Sequence, residues 1–235
     1  MVLGCVVGKG IEVIYCFPIR GKHGLGITSG RRVLSFIKRS INKCPICSFQ
    51  FQYSAIKIKM AHKAQQDFIR EVKLRLPKYF TGVNVLDCGS LDINGNNREF
   101  FDDSRYIGLD IIPGRNVDIV CPAHKYHEYG FDVVISTEML EHDKFWKKSL
   151  ENIYLMVRDN GLIILTAATT GREPHGIPGH HPKDSPATHN YYLNITKEML
   201  VSVFSPGMFN IYQLFINHTD IYFYGIKNNL CRCIW

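Results

Sequence analysis

Two apolar runs that each end in an acid constrain this chain more than any other feature: VLDCGSLDINGNN, Val85 to Asn97, and YIGLDI, Tyr106 to Ile111. The acids Asp87 and Asp110 lie a little over 20 residues apart, the spacing of an α/β nucleotide-binding unit. In such a unit the first strand ends at a tight turn, where Gly89 lets the backbone approach a ligand. The carboxylate closing the second strand, Asp110, can accept both hydroxyls of a ribose. The pair specifies a nucleoside and leaves its identity to the rest of the chain.

Around that core the pattern is regular from Met60 onward. Phe68, Ile69, Val72, Leu76 and Tyr79 recur at helical spacing, in a helix that Pro77 bends or ends. Strand-like runs follow at Val83 to Asp87, Tyr106 to Ile111, Val117 to Val120, Phe131 to Ser136 and Leu162 to Ala167. FWKKSLENIYLMVRDNG, between the last two, reads as a helix stopping at Asn160-Gly161. Parallel strands with helical crossovers are the natural assembly. The tail differs: after a short helix over Lys197 to Phe204, FNIYQLF and DIYFYGIK are too close for a crossover helix and must pair antiparallel. That ending, with the lack of G-x-G-x-x-G, argues against a nicotinamide-dependent oxidoreductase.

At 235 residues with 46% hydrophobic and 21% charged side chains, the chain can bury one substantial core. Its net charge of +7 is unevenly placed. Residues 1–59 hold ten Lys or Arg against Glu12 alone, whereas residues 60–235 hold eighteen against twenty acids. The basicity is confined to the N-terminal quarter. No apolar run reaches the roughly 18 residues of a membrane span, and Lys9 and Glu12 interrupt the apolar start, so no membrane partner and no signal peptide is expected. Eight cysteines without framework spacing read as reduced thiols, and the expected location is cytoplasmic.

Residues from about Met60 to Asn228 resemble the class I S-adenosylmethionine-dependent methyltransferases, most closely the small type 11 branch common in bacteria and their viruses. The resemblance is carried by VLDCGS, YIGLDI, VDIVCPAH, FDVVISTEMLEH and RDNGLIILTA, in that order. It implies a seven-stranded Rossmann-like sheet, mostly parallel with a C-terminal antiparallel hairpin and helices on both faces. The expected organisation is a basic N-terminal extension over 1–59, a methyltransferase domain over 60–228 and a tail over 229–235.

The resemblance implies S-adenosyl-L-methionine as cofactor, held by Asp87, Cys88, Gly89, Asp110, Ile111, Ala123, Ser136 and Thr137. Leu91 and Ile93 stand where the family's loop usually has further glycines, a departure that Asn94-Gly95 can offset with its own turn. Cys121, Pro122 and Ala123 stand where an acid often receives the adenine amino group, so adenine is expected between Ile111 and Ala123. Methyl transfer asks the protein to hold donor and acceptor at attack distance and, for a hydroxyl acceptor, to remove a proton. Glu138 and His142 of STEMLEH are the catalytic candidates, a backbone-bonded structural histidine being the rival reading of His142. The long Gly- and Pro-rich loop TTGREPHGIPGHHPKDSPATHNYY reads as a substrate lid. It supplies His175 as a further catalytic candidate and Arg172, His181 and Tyr191 as acceptor contacts. Its histidines, with Asp184, show no established ligand spacing, and no metal is expected.

Residues 1–59 leave three readings open: half of a zinc knuckle at Cys44 and Cys47 that would need Cys231 and Cys233, a nucleic-acid patch in RRVLSFIKRSINK, or a loosely packed extension. The expected acceptor is a small molecule or a sugar-containing metabolite. Two alternatives stay open, a nucleic-acid methyltransferase using the basic N-terminus and a non-catalytic binding protein of the same fold.

Overall fold

The computed structural model describes Leu3–Val6, Tyr15–Pro18 and residues 61–229 other than Asn94 and His189. The chain divides into two compact units, Met1–Lys57 and Ile58–Trp235. In the first, β1 (Leu3–Val6) pairs antiparallel with β2 (Tyr15–Pro18), Leu3 opposite Pro18. RRVLSFIKRSINK and the cysteines at 44, 47, 231 and 233 lie outside the described residues.

The second unit begins with α1 (Ala61–Arg75), whose buried stripe is Phe68, Ile69 and Val72. The helix stops two residues before Pro77, because the residue preceding a proline is pushed out of the helical region; Leu76 sits at φ −131. Then come β3 (Asn84–Cys88), β4 (Arg105–Asp110), the two-residue β5 (Ile119–Val120), β6 (Phe131–Thr137), α2 (Trp146–Met156), β7 (Val157–Ala168), α3 (Lys197–Val203), β8 (Phe209–Asn217) and β9 (Asp220–Lys227). The seven strands β3 to β9 form one sheet in the order β5-β4-β3-β6-β7-β9-β8. Neighbours are parallel through β7, and β9 runs antiparallel to both β7 and β8. Six strands therefore point one way and β9 opposes them, which is the seven-stranded, mostly parallel sheet with a C-terminal hairpin that the sequence predicts.

Helices cover both faces. On one, Phe68, Ile69 and Val72 of α1 pack with Val85, Val133, Ile164 and Tyr222. On the other, Leu150, Ile153 and Met156 of α2 and Leu200 of α3 pack with Leu86, Val134 and Ile163. Burial on both faces is why these strands read as near-continuous apolar runs.

The structure corrects one boundary. The helix predicted to reach Asn160-Gly161 ends at Met156, and Val157 turns to extended backbone (φ −74, ψ 136). Val157 pairs with buried Phe131, so a strand contact outweighs the helical period of VRDN. The detour to Leu162 needs Asn160 at φ +58. It also needs Gly161, where a side chain would meet Val157 Cγ2 at 2.6 Å and the Arg158 carbonyl at 2.9 Å. No helix among the described residues is long and apolar enough to cross a membrane.

Candidate active site

The carboxyl ends of β3, β4, β5, β6 and β7 share one sheet edge, and a cavity of about 1040 Å³ opens there. Ligand pockets commonly span about 300–1,000 Å³, so this one stands at the upper end of that range.

One end is built by β3, β4 and the turns that follow them. Gly89 leaves β3 at φ +83, and a side chain there would meet Met139 Cβ at 2.6 Å, so only glycine lets the turn pass under residue 139. Gly89 and Ser90 donate to the Leu109 carbonyl, tying the turn to β4. Asp110 ends β4 with its carboxylate at the cavity; one oxygen accepts from the Leu91 N–H at 3.1 Å, the other from Ile111 at 2.7 Å. The oxygen facing Ile111 also accepts from the Ile112 N–H at 3.4 Å, so the oxygen facing Leu91 is the one that keeps a lone pair for a ligand hydroxyl. Ile111 and Ala123 line the same end, with His124 and Phe145 beyond them, ring centroids 4.4 Å apart.

The bulky residues in the glycine positions are accommodated elsewhere. Leu91 packs where a side chain on Gly114 would stand, 2.3 Å from its Cδ1, so a glycine in the neighbouring turn takes up the volume. Gly95, at φ +128, donates to Asp92 Oδ1 at 2.8 Å, and Asp92 is held by Arg115 at 2.9 Å. The turn expected at Asn94-Gly95 is thus formed at Gly95; Asn94 lies outside the described residues.

Beneath this end Asp87 is 1% exposed. It accepts from the Tyr106 hydroxyl and, at 3.4 Å, from Asn97 Nδ2, which also donates to Thr137 Oγ1 at 3.1 Å. Burial raises the Asp87 carboxyl to about 6 against the hydrogen bonds that favour its charged form.

The other end is built by STEMLEH and the loop over residues 169–192. Glu138 leaves β6 with φ +51, an uncommon backbone for a non-glycine residue and one that clusters at functional sites. Its carboxylate accepts from Thr166 Oγ1 at 3.0 Å. Glu141 is fully buried, and its Oε1 accepts from the Ala168 N–H at 3.2 Å. Burial raises both carboxyls; Glu141 then raises Glu138 further, and a proton shared between the two relieves that repulsion. His142, 8% exposed, is lowered to about 4 by burial and then by His175, so its ring is neutral at pH 7. The rings of His142 and His175 stand edge to face at 4.9 Å, and Tyr192 contacts both. Gly176, at φ +69, lets the loop backbone cross His142, whose Cε1 would lie 2.9 Å from any side chain there. Bonds from Leu193 to the Glu141 carbonyl and from Ile195 to that of Ala168 fasten the end of the loop.

Of the site residues expected from sequence, Asp87, Gly89, Asp110, Ile111, Ala123, Thr137, Glu138, His142, Arg172, His175 and Tyr191 all line the cavity. Three do not. The Cys88 thiol is buried in the apolar core, Ser136 is fully buried with its hydroxyl away from the cavity, and His181 is an exposed residue at φ +47. Alternation along a strand explains the first and third-last positions of these motifs: neighbours of Asp87 and Thr137 point to the opposite face. His189 lies outside the described residues. Sequence reasoning missed Asn97, Glu141, Phe145, Tyr192 and the α1 pair Gln65 and Gln66, which also line or support the cavity. Glu141 carried a signal, being an acid directly before His142 within STEMLEH.

No protein-family model and no curated protein matches the sequence. Solved structures do. The Burkholderia thailandensis 1,6-didemethyltoxoflavin-N1-methyltransferase, bound to 1,6-didemethyltoxoflavin and S-adenosylhomocysteine, superposes with a TM-score of 0.51 at 12% identity, over 88% of this chain and 94% of that one. DhpI in complex with SAH gives 0.52 at 13% identity, over 83% and 95%. A Haemonchus contortus phosphoethanolamine N-methyltransferase gives 0.47 at 18% identity, and the chain spans about half of that longer protein, 53%. The first two superpositions give the chain the fold of the S-adenosylmethionine-dependent methyltransferases.

Proposed function

We propose that this chain transfers a methyl group from S-adenosylmethionine to a small, oxygen- or nitrogen-bearing acceptor, a small molecule or a sugar-containing metabolite. The observation that carries the reading is the continuity of one cavity from Asp110, Ile111 and Ala123 to Glu138, His142, His175 and Tyr191. A donor nucleoside seated at the first end directs its methyl toward the second. The residues fit the cofactor: Asp110 keeps acceptor capacity for ribose hydroxyls, Gly89 keeps the turn close, and Ile111 with Ala123 offers apolar walls to an adenine. S-adenosylmethionine supplies an already activated methyl, so the protein's work is positioning and, for a protonated acceptor, proton removal. Neutral His142 can take such a proton, and Arg172 with Tyr191 offers polar contacts to the acceptor. A cytoplasmic setting suits the free thiols of Cys88 and Cys121.

Calorimetry with S-adenosylmethionine tests the donor half. Saturable binding is expected, and Asp110→Ala should weaken it by about 1.5–3 kcal/mol, the scale of hydrogen bonds to a charged group, or at least about tenfold. No saturable heat in a folded protein would sink the reading and favour a binding protein without catalysis. Labelled-methyl transfer into lysate separated into metabolite, nucleic-acid and protein fractions tests the acceptor half, with label expected in the metabolites.

A further inference from the structure

The lid and the turn after β6 bring together more donor atoms than proton removal by one imidazole requires. The ligating atoms of Glu141, His142 and His175 all lie within 4.8 Å of one another. Two of them are buried lone pairs without a donor. Glu141 Oε2 has no hydrogen-bond donor, since its carboxyl neighbour Glu138 can bond to it only through a shared proton. His142 Nδ1 is likewise buried and unpartnered. A bound cation would satisfy His142 Nδ1 and would take the place of the proton that Glu141 shares with Glu138.

The imidazoles are oriented as a metal site requires. The His142 ring bonds to the Tyr191 backbone, which leaves its proton on Nε2 and a bare lone pair on Nδ1. His175 Nδ1 lies 3.3 Å from the Glu173 carbonyl, so its proton sits there and Nε2 is the free lone pair. Metal-bound histidines characteristically give their other N–H to a backbone carbonyl in this way. Local charge agrees: the carboxyls of Glu138, Glu141 and Asp220 neighbour the group, with Arg172 as their countercharge.

We propose that Glu141, His142 and His175 bind one divalent first-row transition cation, with its open positions facing the acceptor end of the cavity. Two imidazoles and one carboxylate select such an ion over calcium or magnesium, which prefer all-oxygen shells. Bonds of about 2.0–2.2 Å require the donors to close by up to about an ångström. His175, on the loop, can supply that movement. The sequence reading expects no metal, because the lid histidines with Asp184 show no established ligand spacing; Glu141 and His142 stand more than thirty residues before His175 and are not among the ligands it weighs. Cation binding does not depend on the methyltransferase reading and is measured without donor.

The test is a titration of the chelator-treated full chain with Co²⁺, read by visible d–d absorption. One equivalent should bind, and Glu141→Gln and His175→Ala should each weaken binding at least about tenfold, the scale on which ligand environments control affinity. Co²⁺ should also raise the melting temperature of the wild type and not of the variants. His180→Ala with His181→Ala should bind as the wild type does. Glutamine preserves the bond to Ala168, but if Glu141→Gln fails to melt cooperatively, His175→Ala on the half-buried loop decides alone. Absence of d–d bands, equal affinity in His175→Ala, or only a thiolate-to-cobalt charge-transfer band would overturn the proposal, the last by placing the ion on cysteines.

Discussion

Asp87 carries the first consequence at the scale of single residues. Its carboxyl titrates near 3.8 in an unfolded chain and at about 6 in the fold, because burial opposes the charge. A raised carboxyl binds its proton more tightly in the native state, so its stabilising contribution is complete below about 3.8 and is lost as pH rises through about 6. The interval corresponds to about 3 kcal/mol. Asp87→Asn, which keeps the acceptor for Tyr106, should flatten the stability profile between pH 4 and 6.5 and leave the protein at least as stable at pH 7. Chemical denaturation across that range measures it; a slope surviving in the variant would assign the titration to another group. Asp87, Gly89 and Asp110 were legible in sequence because strand-end chemistry demands particular residue types. Asn97 was not, since its role exists only where a loop returns to set its amide between Asp87 and Thr137. The partners of Glu141 and Tyr192 are likewise brought to them by the chain's path, not by its local pattern.

At the scale of elements, the β4–β5 connection is clamped onto the middle of β4. Gly108 donates to Asp118 at 2.7 Å and accepts from the Asp118 N–H at 2.8 Å, while the Asn116 carbonyl occupies the place of a side chain, 1.9 Å from where a Cβ would stand. Backbone cannot yield as a flexible side chain can, so Gly108→Ala should destabilise by about 1–3 kcal/mol. It should also loosen Asp110, two residues on, and lower donor affinity in parallel. A melting temperature and donor affinity both equal to wild type would contradict the clamp. Strand direction was readable because apolar runs, the crossover rule and the short hairpin leave few topologies, whereas the order of the strands across the sheet comes from the structure. The end of α2 was not, because VRDN has helical spacing and only the contact between Val157 and Phe131 shows that the strand claims it. The connection from β3 to β4 holds only a 3₁₀ turn, Arg98–Phe100, among its described residues, and the aromatic pair Phe80 and Phe101, stacked at 4.9 Å, fills the space beside it.

At the scale of the whole molecule, charge and fold are separable. Residues 58–235 form a compact unit of their own, and the strands, the cavity and every site residue argued above belong to it. Residues 1–59 carry nine net positive charges, whereas the remainder is slightly acidic. A chain beginning at Met60 should therefore melt cooperatively and bind S-adenosylmethionine with the affinity of the full chain, since every described residue that lines the cavity is kept. Binding to duplex DNA or RNA at low salt should behave differently. Each phosphate neutralised by Lys or Arg contributes roughly 0.9 to the fall of log affinity with log salt on duplex DNA, so an interface built on the basic segment predicts a steep slope in the full chain and a shallow one in the shortened chain. Equal slopes would move any nucleic-acid contact onto the second unit and revive the nucleic-acid acceptor. Loss of donor binding on shortening would instead show that residues 1–59 complete the fold, and the separation of charge from fold would fail.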